Sequence, residues 1–166
     1  VLAAVTVAKL ANIAPQTIAQ TIQEFPGLEH RLEWVRLHRG VDYINDSKGT
    51  NVGSVMKSLN SIGRPLILIF GGQDKGSDFI PLINLFKSKV KQLILIGDVR
   101  PKIKQLLNGI PPFEEADTLE MAVRRAAEIA VPGDTVLLSP GCASFDMFKD
   151  YLDRGNQFKT LVQQID

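Results

Sequence analysis

Thr135-Val136-Leu137-Leu138-Ser139-Pro140-Gly141-Cys142-Ala143-Ser144-Phe145-Asp146-Met147-Phe148 decides the fold. Its first four residues are a short aliphatic run, bounded upstream by Pro132-Gly133-Asp134 and downstream by Ser139-Pro140-Gly141. An apolar run between such breakers reads as a buried strand. After the small-residue loop, Ser144 is a candidate N-cap, because its hydroxyl can accept from an unpaired amide at a helix start. Phe145, Phe148 and Leu152 follow at helical spacing. Strand, tight loop and helix start together present amides and a positive dipole end at the carboxyl edge of a sheet, where anions bind.

The same corner recurs upstream. Ile44-Asn45 runs into Asp46-Ser47-Lys48-Gly49-Thr50-Asn51, then a helix carrying Val52, Val55, Met56 and Leu59. Leu66-Ile67-Leu68-Ile69-Phe70 is an unbroken apolar strand of the kind buried on both faces. It leads into Gly71-Gly72-Gln73-Asp74-Lys75-Gly76-Ser77 and a helix with Phe79, Leu82, Ile83 and Phe86. Leu93-Ile94-Leu95-Ile96 leads into Gly97-Asp98 and a helix from Pro101. Asp117 and Glu120 have capping-box spacing before a helix with Ala122, Val123, Ala126 and Ile129. Gly155 divides the last helical stretch in two. Leu32 to Leu37 and Val41 to Asn45 alternate around His38-Arg39-Gly40, which predicts a hairpin with a three-residue loop. The expected architecture is a Rossmann-like α/β domain: a mainly parallel sheet with one antiparallel edge strand from the hairpin, and helices on both faces.

Composition narrows the function. The chain has 166 residues, enough for one sizeable core, and a net charge of +1 gives no reason to expect nucleic acid or an acidic membrane as partner. No apolar stretch approaches the ~20 residues of a transmembrane helix. The single cysteine, Cys142, excludes an internal disulfide and fits a reducing compartment. The first residues have neither the basic region nor the cleavage site of a signal peptide, and with no initiator methionine the chain reads as part of a longer polypeptide. Its opening helices, up to Phe25, carry more apolar surface than a free tail should. They are expected to pack on a neighbouring domain.

In such a sheet the strand-to-helix loops open on one edge. Three loops are therefore candidates: Asp46 to Asn51, Gly71 to Asp78, and Ser139 to Ser144. Lys48 and Lys75 supply cations, Thr50 and Ser144 hydroxyls, and the glycines exposed amides, a set suited to a carboxylate or phosphate. Asp46 is the one acid of the first loop, suited to a ribose hydroxyl, an ammonium or a hydrated metal. No segment matches a GxxxxGK[ST] phosphate loop, a GxGxxG dinucleotide fingerprint or a GxSxG elbow. His30, His38 and Cys142 lack metal-ligand spacing. Cys142 reads as a small residue filling a crowded loop, not as a nucleophile. Trp34 and most Phe, Leu and Ile residues read as core, and Lys87, Lys89, Lys91, Lys102 and Lys104 as a solvated face.

Leu28-Glu29-His30-Arg31-Leu32-Glu33, Asp46 to Asn51, Gly71 to Phe79, and Leu138 to Phe148 followed by Arg154-Gly155-Asn156-Gln157-Phe158 resemble the C-terminal region of the Mur ligases. The resemblance runs from about Gly27 to the end. Its last motif is closest to the D-glutamate-adding branch, with Gly49 and Gly141 where alanine is more usual and Tyr151 where phenylalanine is. It implies a three-domain, ATP-dependent ligase of peptidoglycan synthesis, cytoplasmic, bacterial and monomeric. Residues 1–26 would be the helical tail of a central ATPase domain, which would carry the phosphate loop, and 27–166 the C-terminal domain. The full-length enzyme would use ATP and Mg2+ to join D-glutamate to UDP-N-acetylmuramoyl-L-alanine through an acyl phosphate. The fragment alone would be inactive, with no catalytic residue of its own. By motif, Lys75, Thr50, Ser144 and the Phe145 backbone would hold the D-glutamate carboxylates, with Tyr151 lining the pocket and Lys48 nearby. His30, Arg31 and Asp46 would face ATP and its magnesium, without ligating the metal directly. Another Mur ligase, a folylpolyglutamate synthetase, and a non-catalytic anion- or nucleotide-binding module remain the alternatives.

Overall fold

A computed structural model describes residues 1–109 and 111–166. The strands are β1 (Glu33–His38), β2 (Val41–Asn45), β3 (Leu66–Gly71), β4 (Val90–Ile96), β5 (Phe113–Glu115) and β6 (Thr135–Leu138). The helices are α1 (Leu2–Leu10), α2 (Pro15–Glu24), α3 (Val52–Ser61), α4 (Ile80–Lys89), α5 (Arg100–Leu107), α6 (Leu119–Ile129) and α7 (Tyr151–Gln163).

One six-stranded sheet runs in the order β1-β2-β6-β3-β4-β5. The β1–β2 pair is antiparallel and every other pair is parallel. Successive side chains of a strand point to opposite faces, so the unbroken apolar run of β3 feeds two cores at once. Leu66, Leu68 and Phe70 pack with Val55, Leu59, Leu82 and Phe86 of α3 and α4. Ile67 and Ile69 pack with Val123, Phe158 and Val162 of α6 and α7. Because β6 is inserted between β2 and β3, the loop that follows it lies between the loops that follow those two strands. That insertion creates the site. No helix among the described residues is long and apolar enough to cross a membrane.

The Rossmann-like expectation holds, with local corrections. The hairpin turns on two residues, Arg39 (φ 50°) and Gly40 (φ 78°), because paired left-handed residues match the strand twist better than a longer loop. Ser144 does not cap a helix. Its carbonyl accepts from Met147 and Phe148, closing a single turn, after which Asp150 goes extended and caps α7 by accepting from the Asp153 amide. Phe145 is 61% exposed and Leu152 43%, so the helical spacing there marked no buried stripe. α7 runs unbroken through Gly155. Thr118, not Asp117, caps α6, its hydroxyl accepting from Met121, while Asp117 pairs with Arg100.

Further corrections concern burial and length. β4 begins at Val90, three residues earlier than its apolar run suggests, and β5 has too few residues to have shown a pattern. Trp34 is exposed and donates to Asp42. The lysines read as a solvated face hold particular partners: Lys89 the Leu59 carbonyl, Lys91 Asp134, Lys102 Asp74 and Lys104 Glu115.

Candidate functional site

The loops at the carboxyl ends of the parallel strands are tied together by backbone bonds. The Gly141 amide donates to Gly49 O (2.8 Å), joining the loop after β6 to the loop after β2. The Gly71 amide donates to Pro140 O and the Gln73 amide to Ala143 O, both at 3.0 Å, joining it to the loop after β3. A fourth loop, Gly97-Asp98 after β4, joins through Val99 N to Gly72 O (3.1 Å) and Asp98 N to Asp146 Oδ2 (3.0 Å). Gly72 permits this closeness. At φ 137°, a Cβ there would lie 2.3 Å from Ala143 O.

Arg154 of α7 fastens the rim from below. It is fully buried and donates to Ser47 Oγ (3.0 Å), Ser47 O (2.9 Å) and, at 3.4 Å, the Cys142 and Ala143 carbonyls. Burial lowers its pKa to about 10, so it remains cationic at neutral pH. Asp146 is the acid whose charge favours it. Asp146 Oδ1 is itself buried without a hydrogen-bond partner. The sequence showed Arg154 only as a member of a motif, and nothing in its neighbours announced that it would be buried.

Asp46 is also a strut. Its Oδ2 accepts from Ser58 Oγ (2.6 Å) and Ser139 Oγ (2.7 Å), and its Oδ1 from the Leu32 amide (3.3 Å). Burial raises its pKa, against the lowering effect of those donors and of nearby Arg31. Both oxygens are engaged, and among the described residues no three His, Cys, Asp or Glu side chains converge as a metal site.

His30 is buried beneath Tyr151, edge-on at 6.2 Å between ring centroids. Asn45 Oδ1 accepts from the Ser47 amide, so the Asn45 NH2 faces His30 Nδ1 at 2.9 Å and fixes the neutral ring with its proton on Nε2. Desolvation lowers the His30 pKa, in keeping with that neutral form. Arg31 stands exposed between two left-handed residues, His30 (φ 61°) and Leu32 (φ 46°).

The remaining candidates line the rim. Lys48 Nζ lies 5.6 Å from the centre of the Tyr151 ring and Lys75 Nζ 5.1 Å from that of Phe145. Lys102 and Lys159 hold carboxylates, whereas among the described residues neither Lys48 nor Lys75 has one within ion-pair distance. Thr50 is partly buried in the first loop and Ser144 is 2% exposed at the end of the third. Cys142 is buried and its thiol is pushed up to about 12, which makes it inert as a nucleophile at neutral pH. A cavity of about 750 Å3 between the hairpin, α6 and the end of α7 lies at the opposite edge of the sheet.

Comparison with known proteins adds three findings. Residues 30–142 match the family model described as "Mur ligase, glutamate ligase domain". The chain is 49% identical to a UDP-N-acetylmuramoylalanine--D-glutamate ligase of Hahella chejuensis, covering 99% of this chain and 38% of that protein. It is 43% identical to the enzyme of that name from Chlorobaculum parvum, covering 99% of this chain and 35% of the relative. The chain thus spans well under half the length of these relatives. Among solved structures, a UDP-N-acetylmuramate-alanine ligase from Thermotoga maritima superposes with a TM-score of 0.67 at 14% identity, over 98% of this chain and 36% of that one. A bifunctional folylpolyglutamate synthase/dihydrofolate synthase from Yersinia pestis gives 0.62 at 16% identity, over 78% of this chain and 32% of that one. At such identities these two speak for the fold alone.

Proposed function

The chain belongs to the Mur ligase family, whose glutamate ligase domain it carries, and from that premise we propose that it delivers D-glutamate to an ATP-dependent ligase of peptidoglycan synthesis. In this reading residues 27–166 are the C-terminal domain of a longer cytoplasmic enzyme, and residues 1–26 the end of the domain before it. ATP supplies the phosphoryl group that activates the carboxylate of UDP-N-acetylmuramoyl-L-alanine. The residues of this chain hold the incoming amino acid so that its amine meets the activated carbonyl. Placement of the two reactants is then the main contribution of the domain to rate.

The observation that carries the proposal is the rim itself. Three loops bound to one another present two lysines without carboxylate partners beside the hydroxyls of Thr50 and Ser144. A diacid needs separate anchors, and this set offers a cation, two hydroxyls and a backbone amide for its two carboxylates, with a second cation close by. Lys75, Thr50, Ser144 and the Phe145 amide are assigned to the carboxylates, with Tyr151 and Lys48 at the wall. Charge-assisted bonds of this kind contribute about 1.5–3 kcal/mol each. Arg31, the exposed member of the His30-Arg31-Asp46 group, is assigned to the nucleotide phosphates. His30 and Asp46 act from beneath by fixing the backbone that presents it.

The test is the full-length polypeptide carrying Lys75→Ala. Its KM for D-glutamate should rise at least about tenfold while its KM for ATP stays unchanged, as loss of one charge-assisted bond requires. An unchanged D-glutamate KM removes Lys75 from the site and the proposal with it.

A further inference from the structure

Lys75 has an acid beside it in sequence. Asp74 is the natural intramolecular partner for its ammonium, and a carboxylate so placed would compete with any carboxylate substrate. The fold prevents this. Lys102, reaching across from α5, donates to Asp74 Oδ2 at 2.8 Å and to Ser77 O at 2.7 Å, with its ammonium 5.0 Å from the centre of the Phe79 ring. The other oxygen, Asp74 Oδ1, accepts from the Gly76 and Ser77 amides, each at 3.0 Å. Every strong interaction of the Asp74 carboxylate is thus made away from Lys75, whose own ammonium rests on Phe145.

We propose that Lys102 is a positioning residue for substrate binding: by occupying Asp74 it holds the Asp74–Ser77 turn and leaves the charge of Lys75 free for the carboxylate of the amino-acid substrate. This rests on the function proposed above and adds to it a residue outside the rim. Charge balance is the core of the argument. Lys102 and Asp74 cancel, the other acid of the loop, Asp78, accepts from the Ile80 amide at the start of α4, and among the described residues Lys75 has no carboxylate within ion-pair distance. The Lys102 bond is also the first cause of the lowered pKa of Asp74, in keeping with a carboxylate whose charge is engaged by Lys102. Lys102 is 41% exposed at its side chain and belongs to neither apolar cluster, so its loss should spare the core.

The experiment compares four full-length proteins: wild type, Lys75→Ala, Lys102→Met, and Lys102→Met combined with Asp74→Asn. Asparagine at 74 keeps an oxygen for the Gly76 and Ser77 amides but carries no charge to compete for Lys75. Lys102→Met should raise the KM for D-glutamate about five- to tenfold, with kcat and the KM for ATP unchanged, and Asp74→Asn in that background should restore it to within about twofold. Rescue by a second substitution is something a purely structural lysine would not give. The inference is overturned if Lys102→Met leaves the D-glutamate KM unchanged, if Asp74→Asn fails to rescue it, or if all substrates are affected alike together with a lowered melting temperature. If Lys75→Ala raises the KM while Lys102→Met does not, the inference alone falls. If Lys75→Ala has no effect, the proposed function falls too.

Discussion

His30 combines a left-handed backbone with a buried, neutral ring, and its pH response follows from that burial. Desolvation holds its pKa below the ordinary 6.5. Between the folded value and 6.5 the unfolded chain binds a proton that the folded chain refuses. The His30 contribution is therefore complete above about pH 6.5 and is lost as pH falls toward the folded value. Asp46 has the opposite sign: its raised pKa means that folding is helped, not hindered, as pH falls through its window. Comparison with His30→Gln isolates the histidine, since both proteins keep Asp46. The wild-type chain should lose more stability between about pH 7.5 and about pH 5.5 than His30→Gln does, measured by urea unfolding. Equal losses would show that the ring is not held neutral. Residues of this kind also mark the limit of reading a site from sequence. Lys75, Lys48 and Thr50 stood out as candidates because polar residues in a glycine-rich loop after a strand have few other uses, and the structure brings their loops to one rim. Asp46 looked like a ligand, yet its hydroxyl partners, Ser58 and Ser139, lie 12 and 93 residues away and turn it into a strut. Arg154 was hidden because arginine is seldom fully buried, and no local pattern foretells that its hydrogen bonds go to Ser47 and to the Cys142 and Ala143 carbonyls.

Among the elements, α7 shows why a glycine need not end a helix. Gly155 costs about 1 kcal/mol relative to alanine in a helix interior. It is retained because the His30 ring occupies the place of a side chain: a Cβ at 155 would lie 2.2 Å from His30 Nδ1. Gly155→Ala would regain the helix term but force apart a buried contact, at about 1–3 kcal/mol. The net change should be destabilising, with a melting temperature several degrees lower by circular dichroism. A higher one would mean that His30 and α7 are not in contact. The strands were legible where burial on both faces left an unbroken aliphatic run, as in β3 and β6. The run after Ser144 misled because aromatic spacing alone does not say which residues face inward. Phe148 turns toward the α6–α7 side, whereas Phe145 turns out to meet Lys75. Caps were the least legible feature. Asp117 and Thr118 are both acceptable caps by composition; Thr118 caps α6 while Asp117 pairs with Arg100.

At the scale of the whole chain, the two apolar cores are built entirely from elements between β1 and α7. α1 and α2 contribute no buried residue to either, and large apolar side chains of this segment stand exposed: Leu2 is 86% exposed, Leu10 79% and, just past α2, Phe25 59%. Under the reading proposed above, this surface meets the preceding part of the polypeptide. The physical consequence can be tested without that part. Burial of apolar area is the main favourable term in folding, and an element that buries nothing in the core adds little to its stability. A chain beginning at Gly27 should therefore melt within about 2 °C of the chain beginning at Val1. It should also lose whatever self-association the exposed helices cause, because contiguous apolar surface in water promotes contact between copies. Calorimetry and sedimentation velocity on the two chains read both effects. A fall of more than about 5 °C on removing residues 1–26 would mean that the helices stabilise the sheet domain, and the boundary at Gly27 would have to be abandoned.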